Sequence, residues 1–279
     1  MMQKLSNIDP ATLDKLAKVR CWLLDMDGTV SLEDDALPGA DQFFASITDS
    51  QFIFLTNNSS RHADYYVERM KRLGFDVDRS RMLTSTDALI LYLKRTGKQR
   101  LYAVGTPDFE RALQEAGFEL IRKRDEQADM VVIGFDTTLT YEKVDIACDL
   151  IRGGVLWAGA NPDFVCPLAD GKVLPDCGSI MAMIKACTDT EPQIVIGKPE
   201  TAMVDMVLAD RGFSREELAM VGDRLYTDLE LAKRAGILGI AVLTGETNLE
   251  DIAASTTKPD LILDDIGQLA ELLRGIKSE

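Results

Sequence analysis

Short apolar runs alternate with amphipathic stretches along the whole chain, and several of the runs stop at an acid or a hydroxyl residue. An apolar run bounded by polar residues suits a strand covered on both faces. Strands of that kind alternating with helices build a parallel sheet. Val19–Leu24 reads as such a strand and ends at Asp25. Gln51–Leu55 is a second and ends at Thr56. Asn57–Ser60 then supply caps for a helix over Arg61–Leu73, which Gly74 closes. Ile194–Ile196 is a short strand leading into Gly197-Lys198-Pro199 and a helix over Glu200–Arg211. Leu218–Val221 ends at Gly222-Asp223, and a helix over Thr227–Ala235 stops at Gly236. Ile237–Leu243 and Leu261–Leu263 complete the strands. The expected fold class is α/β, a Rossmann-like, doubly wound parallel sheet. In such sheets ligands bind beyond the carboxyl ends of the strands, where the notable polar residues fall.

From roughly Leu83 to Thr188 the alternation repeats with different content. Leu101–Val104, Met130–Ile133 and Val155–Ala158 read as strands. Asp87–Arg95, Phe109–Glu115 and Tyr141–Ile151 read as helices. No matching set of strand-end carboxylates accompanies them. The expected organisation is a core domain of residues 1–82 and 189–279, interrupted by an inserted α/β domain of residues 83–188.

Charge and rare residues narrow the chemistry. The net charge is −15, so nucleic acid and anionic lipid surfaces are poor partners. An anionic metabolite is repelled as well, and any phosphate site must carry local positive charge. The five cysteines form no C-x-x-C pair, which speaks against a zinc site or a disulfide framework. His62 is the only histidine, and no serine stands in a G-x-S-x-G elbow. Carboxylates, lysine and metal remain for catalysis. No apolar run is long enough to span a bilayer, and Met1–Lys18 lacks the layout of a signal peptide, so a cytoplasmic location is expected.

Asp25-Met26-Asp27-Gly28-Thr29 puts two carboxylates on one turn just past a strand. One can attack a phosphorus atom, while the other protonates the leaving oxygen and later deprotonates water. The competing reading is a solvated acid pair in a polar turn. Gly222-Asp223-Arg224-Leu225-Tyr226-Thr227-Asp228 adds two strand-end acids. Magnesium needs only one or two protein carboxylates, which Asp25 and Asp223 can supply; Asp228 can instead cap the next helix. Lys198 can hold a phosphate and offset the clustered acids, or be a surface lysine. Thr56 and Asn57 can donate to phosphate oxygens or simply cap a helix. His62 reads as a helix-surface residue.

The order of these four pieces resembles the haloacid dehalogenase-like phosphatases, whose motifs are matched by Asp25–Thr29, Thr56, Lys198 and Gly222–Asp228. The large insertion, the Asn161-Pro162-Asp163 stretch and the Gly-Asp-Arg-Leu-x-Thr-Asp wording look like the NagD-like, 4-nitrophenylphosphatase branch, which carries a large α/β cap. Pro175-Asp176-Cys177-Gly178 departs from the branch's usual Pro-Gly-x-Gly-like run, which bears on substrate choice. The resemblance implies Asp25 as nucleophile and metal ligand. It implies Asp27 as general acid–base, with its backbone carbonyl on the metal. Thr56, Asn57 and Lys198 would hold phosphate, Asp223 would bind Mg2+, and Asp228 would support the metal shell. The substrate would be a small phosphorylated metabolite. Asn161, Asp163 and Cys166, after the strand Val155–Ala158, are the expected specificity residues. Caps of this branch often make dimer contacts, so a homodimer is the oligomer to look for. The rivals are phosphomutase or phosphonate hydrolysis, C–halogen cleavage, and a non-enzymatic metabolite-binding protein on the same fold.

Overall fold

The computed structural model describes residues 8–32, 34–168 and 172–278; of the segment read above for targeting, Met1–Asn7 lie outside. The chain divides into two compact units. One comprises Met1–Leu55, Val67–Met82 and Lys198–Glu279, the other Thr56–Tyr66 and Leu83–Gly197.

The first unit is organised on a six-stranded sheet with the spatial order Leu261–Leu263, Leu238–Val242, Leu218–Gly222, Cys21–Leu24, Gln51–Thr56, Met82–Thr84. The pairings from Leu261–Leu263 across to Gln51–Thr56 are parallel. Cys21–Leu24 lies inside the sheet. The chain adds strands outward on one side of it, then returns to add the others on the opposite side. That reversal is the doubly wound pattern, and the carboxyl ends of the two strands flanking it form its crevice. Every residue of Cys21–Leu24 is buried. Trp22 meets Phe43 of the helix Ala40–Ser46 edge-on, with ring centroids 5.5 Å apart.

Register decides what reaches the crevice. Leu24 lies opposite Val221 on one side and Phe54 on the other. Asp25 therefore comes off its strand level with Gly222 and Leu55, and Asp223 follows one residue later. Asp25 stays tied there by its N–H, which donates to Val221 O at 2.9 Å.

The second unit holds a parallel five-stranded sheet in the order Ile194–Val195, Trp157–Gly159, Met130–Ile133, Arg100–Val104, Glu119–Leu120. Ser85–Arg95, Pro107–Glu115, Tyr141–Arg152 and Cys177–Thr188 are its helices. Val165–Pro167 and Val173–Pro175 pair as an antiparallel ribbon. Among the described residues, no helix is long and apolar enough to cross a membrane.

Two expectations need correction. Ile194–Val195 pairs with Ala158 and Gly159, so this strand belongs to the second unit's sheet, not to the core. The second unit accordingly runs to Gly197 rather than to residue 188, and it takes in Thr56–Tyr66. A short apolar run announces a strand without saying which sheet will pair with it. The helix expected over Thr227–Ala235 opens instead with a wide turn over Leu225–Leu229, and regular helix covers Glu230–Ala235.

Leu23 is fully buried in the strand Cys21–Leu24. Leu23→Ala is expected to destabilise the protein by about 2–5 kcal/mol, seen as a lower urea midpoint with an unchanged m-value. A loss below about 1 kcal/mol would place the centre of the core elsewhere.

Candidate active site

Three carboxylates meet at the switch point of the first unit. Asp25, Asp223 and Asp228 each offer an oxygen, and these oxygens lie within 4.8 Å of one another. Asp25 comes off the strand Cys21–Leu24 and Asp223 off Leu218–Gly222. Asp228 is delivered by the wide turn over Leu225–Leu229, in which Leu229 N–H donates to Arg224 O. Asp223 and Asp228 are buried, while the Asp25 side chain keeps 13% exposure.

Lys198 joins this cluster from the loop after Gly197. Its side chain is 3% exposed, and its ammonium pairs with Asp25 Oδ1 and, at 2.7 Å, with Asp228 Oδ1. It also donates to Leu55 O at 3.2 Å, at the end of the neighbouring strand. Burial alone would lower a lysine pKa. Here Asp228 and Asp25 outweigh it and hold Lys198 above its ordinary value, so it stays charged.

The acids still outnumber their local compensation. Burial, then the charges of Asp25 and Asp228, push the Asp223 carboxyl up from its ordinary 3.8 to about 8. Burial and Asp25 push Asp228 up to about 6 against the pull of Lys198. Asp223 Oδ2 accepts from Glu246 N–H at 2.8 Å, whereas Asp223 Oδ1 is buried with no donor among the described residues. A buried carboxylate oxygen without a donor, beside two more acids, is what a hard divalent cation completes. Among the described residues all the converging ligands are oxygens. His62 lies in the second unit instead, between Asp64 and Glu115 at 3.1 Å each. Asp25, Asp223 and Asp228 therefore fit a magnesium-type ion.

Two glycines let backbone close onto Asp223. Gly28 has φ +88°, and a Cβ there would stand 2.5 Å from Asp223 Oδ2. A Cβ on Gly245 would stand 2.0 Å from the same oxygen. Only glycine admits such approach. Thr244 Oγ1 donates to Gly28 O at 2.6 Å and locks the two loops together.

The remaining expected residues are placed as follows. Asp27 is 47% exposed, and its Oδ1 accepts from Arg69 Nη2 at 2.6 Å. Thr56 and Asn57 are buried and follow directly on Leu55 in the chain. Thr56 Oγ1 accepts from Asn58 N–H at 3.1 Å. Asn161 and Asp163 are also buried, and their side chains are engaged within the second unit. Asn161 Nδ2 donates to Asn57 O at 2.8 Å and to Ser59 Oγ at 3.2 Å. Asp163 accepts from Asn57 Nδ2 at 3.2 and 3.3 Å. They brace the Asn57 turn because a buried turn needs partners for its polar groups. Of the three expected specificity residues only Cys166 keeps substantial surface.

Four residues were not anticipated. Arg224 is a half-buried cation beside Asp25 and Asp223, whose charges hold its pKa above the usual value against burial. Its Nε pairs with Glu246 at 3.1 Å. Glu246 and Gly245 follow the strand Leu238–Val242, so the strand-end rule pointed to them as well. Arg69 sits on the helix Ala63–Arg72, and nothing local in the sequence distinguishes it.

A buried acid cluster held by lysine and open to a hard cation belongs to phosphoryl-transfer chemistry. The comparisons agree. Residues 22–119 match the family model of haloacid dehalogenase-like hydrolases, and residues 195–269 match that of HAD-hydrolase-like proteins. An acid sugar phosphatase of Staphylococcus aureus is 33% identical over 261 residues, covering 92% of this chain and 99% of the relative. A crystal structure of 4-nitrophenylphosphatase from Thermotoga maritima superposes with a TM-score of 0.87 at 42% identity, over 92% of this chain and 98% of that one. A structure of glycerol phosphate phosphatase from Mycobacterium tuberculosis in complex with magnesium gives 0.84 at 31% identity, over 93% and 79%. The chain belongs to the haloacid dehalogenase-like hydrolases, as a phosphoric monoester hydrolase of the NagD-like, 4-nitrophenylphosphatase branch.

The raised carboxyls give a signed expectation. An acid whose folded pKa lies above its unfolded value keeps its proton longer in the folded state. The metal-free protein should therefore lose stability as pH rises from about 4 through about 8. A divalent cation competes with those protons, so added magnesium should raise the unfolding temperature more at pH 8 than at pH 5. Calorimetry at both pH values, with and without the ion, checks this. A magnesium shift independent of pH would count against ligation by these acids.

Proposed function

We propose that this hydrolase removes phosphate from a small phosphorylated metabolite through an aspartyl-phosphate on Asp25, with Mg2+ as its cofactor. The observation that carries the reading is the buried contact of Lys198 with both Asp25 and Asp228, beside the donorless oxygen of Asp223. A lysine this buried fixes the Asp25 carboxylate in one place and keeps positive charge where an anionic substrate must enter an acidic protein. The magnesium complex of the Mycobacterium tuberculosis relative supports the choice of ion. Asp25, Asp223 and the Asp27 carbonyl would hold it, Asp228 would support its shell, and its chemistry is to neutralise phosphate charge.

In the first step a carboxylate oxygen of Asp25 bonds to phosphorus, and the bond from phosphorus to the ester oxygen breaks. Asp27 gives its proton to that leaving oxygen. In the second step water bonds to phosphorus, Asp27 takes the water's proton, and the bond from Asp25 to phosphorus breaks to free inorganic phosphate. Thr56 and Asn57 hold phosphate oxygens, with Asn161 and Asp163 fixing the Asn57 turn. The second unit acts as the cap that selects the leaving group. In that role a second copy of the chain would meet it through the cap.

Phosphate release from 4-nitrophenyl phosphate, with and without chelator, tests the reading. Activity is expected to vanish with chelator and return with magnesium, with calcium a poor substitute. Asp25→Asn should lose turnover by several orders of magnitude while remaining folded. Asp27→Asn should accumulate phosphoprotein in rapid-quench experiments, because water attack lacks its base. Full activity after metal removal, or substantial turnover by Asp25→Asn, would sink the mechanism.

A further inference from the structure

We infer that Arg69 is a positioning residue for Asp27: it holds that carboxylate where proton exchange with the leaving oxygen and with water takes place. The inference rests on the acid–base reading of Asp27 given above, and concerns how an exposed acid keeps one orientation.

Asp27 and Asp25 are two residues apart, but they lie in different surroundings. Asp25 is nearly enclosed and is held by Lys198. Asp27 is 47% exposed on the turn that follows. An exposed aspartate ordinarily samples several side-chain orientations, and a proton donor displaced by about 1 Å loses roughly a hundredfold in rate. Something must fix Asp27 if it is to transfer protons efficiently.

Arg69 has the required properties. It is 5% exposed, and its Nη2 donates to Asp27 Oδ1 at 2.6 Å. The same nitrogen lies 3.2 Å from Ser31 Oγ. Ser31 closes the turn, since Gly28 N–H donates to Ser31 O at 2.8 Å and Ser31 N–H donates to Met26 O at 3.0 Å. One buried guanidinium thus grips both the Asp27 carboxylate and the residue that returns the turn. Surface ion pairs contribute little because two flexible side chains must be ordered together. Here the cation is already ordered by burial, so only the acid is constrained. The planar guanidinium also imposes direction, which a lysine ammonium does not. The half of Asp27 that stays exposed is available to a reacting oxygen. A purely structural ion pair has no need of that exposure.

The test compares Arg69→Met, Arg69→Lys and Asp27→Asn, with the double variant Asp27→Asn/Arg69→Met, in the magnesium-loaded full chain. Two esters of nearly equal size are used: 4-nitrophenyl phosphate, whose leaving oxygen needs little protonation, and phenyl phosphate, whose leaving oxygen needs more. Arg69→Met is expected to lower kcat on phenyl phosphate by about 10–100-fold and on 4-nitrophenyl phosphate by less than about 5-fold. Arg69→Lys should recover part of the difference. The double variant should fall no further than Asp27→Asn alone, because Arg69 acts through Asp27. Should Arg69→Met not fold, Arg69→Gln is read by the same ratio. An equal fall on both esters, or singles that multiply in the double variant, would overturn the proposal and leave Arg69 a structural residue. If Asp27→Asn itself treats the two esters alike, the acid–base reading of Asp27 fails and takes this proposal with it. If Asp27→Asn separates the esters and Arg69→Met does not, only the role of Arg69 is refuted.

Discussion

An ammonium group almost without solvent contact lies between Asp25 and Asp228, and much of the first unit follows from the conditions that make this tolerable. Taking charges out of water is unfavourable unless each finds partners of good geometry. Lys198 meets the condition with two carboxylates and the Leu55 carbonyl. The carboxylates do not, because three of them face one lysine and the Arg224 guanidinium. The imbalance appears as the raised affinity of Asp223 and Asp228 for protons. A proton, a divalent cation or an incoming charge arrangement can relieve it, and only the cation leaves all three acids available as oxygen ligands.

The topology explains how distant residues arrive together without strain. Parallel strands end at the same level, so consecutive strand ends become neighbours in space. The register of Leu24 with Val221 and Phe54 sets that level here. Asp25 and Asp223 flank the switch point, where no crossover helix covers the edge. The loop Thr244–Glu246 comes off the next strand, Leu238–Val242, and closes on Asp223 only because residue 245 has no side chain.

This geometry accounts for what was legible in the sequence. Strand ends are readable because an apolar run that stops at an acid marks both burial and the point where burial ends. Asp25 and Asp223 were legible for that reason, and the second sheet's strands Arg100–Val104 and Met130–Ile133 were legible from their apolar runs alone. Lys198 was legible from its place between a glycine and a proline, although its burial was not. The sheet to which Ile194–Val195 belongs was hidden, since pairing depends on partners far along the chain. Arg69 was hidden for the same reason, as its contact with Asp27 spans 42 positions. Asn161 and Asp163 were read as groups presented to the leaving group, and their contacts with the Asn57 turn were not visible in the sequence. Their partner Asn57, 104 and 106 positions away, is what makes their burial affordable.

In the proposed mechanism Asp25 and Asp27 finally give one short turn two unlike roles. Their side chains are chemically identical, so any difference must come from surroundings. Asp25 is shut in with a lysine that is itself buried, an arrangement that suits the fixed nucleophile of the proposed mechanism. The Asp27 side chain stands nearly half in solvent, where the proposed mechanism would have it exchange protons with water between steps. A nucleophile placed where Asp27 is would be hydrated and loosely directed. An acid–base group placed where Asp25 is would be cut off from its proton supply. The glycine at position 28 and the returning strand at Ser31 turn the chain sharply enough to put one acid inside and the other at the rim. The division of labour proposed for them therefore lies in the turn as much as in the two aspartates, and the order of the acids cannot be exchanged without exchanging their environments.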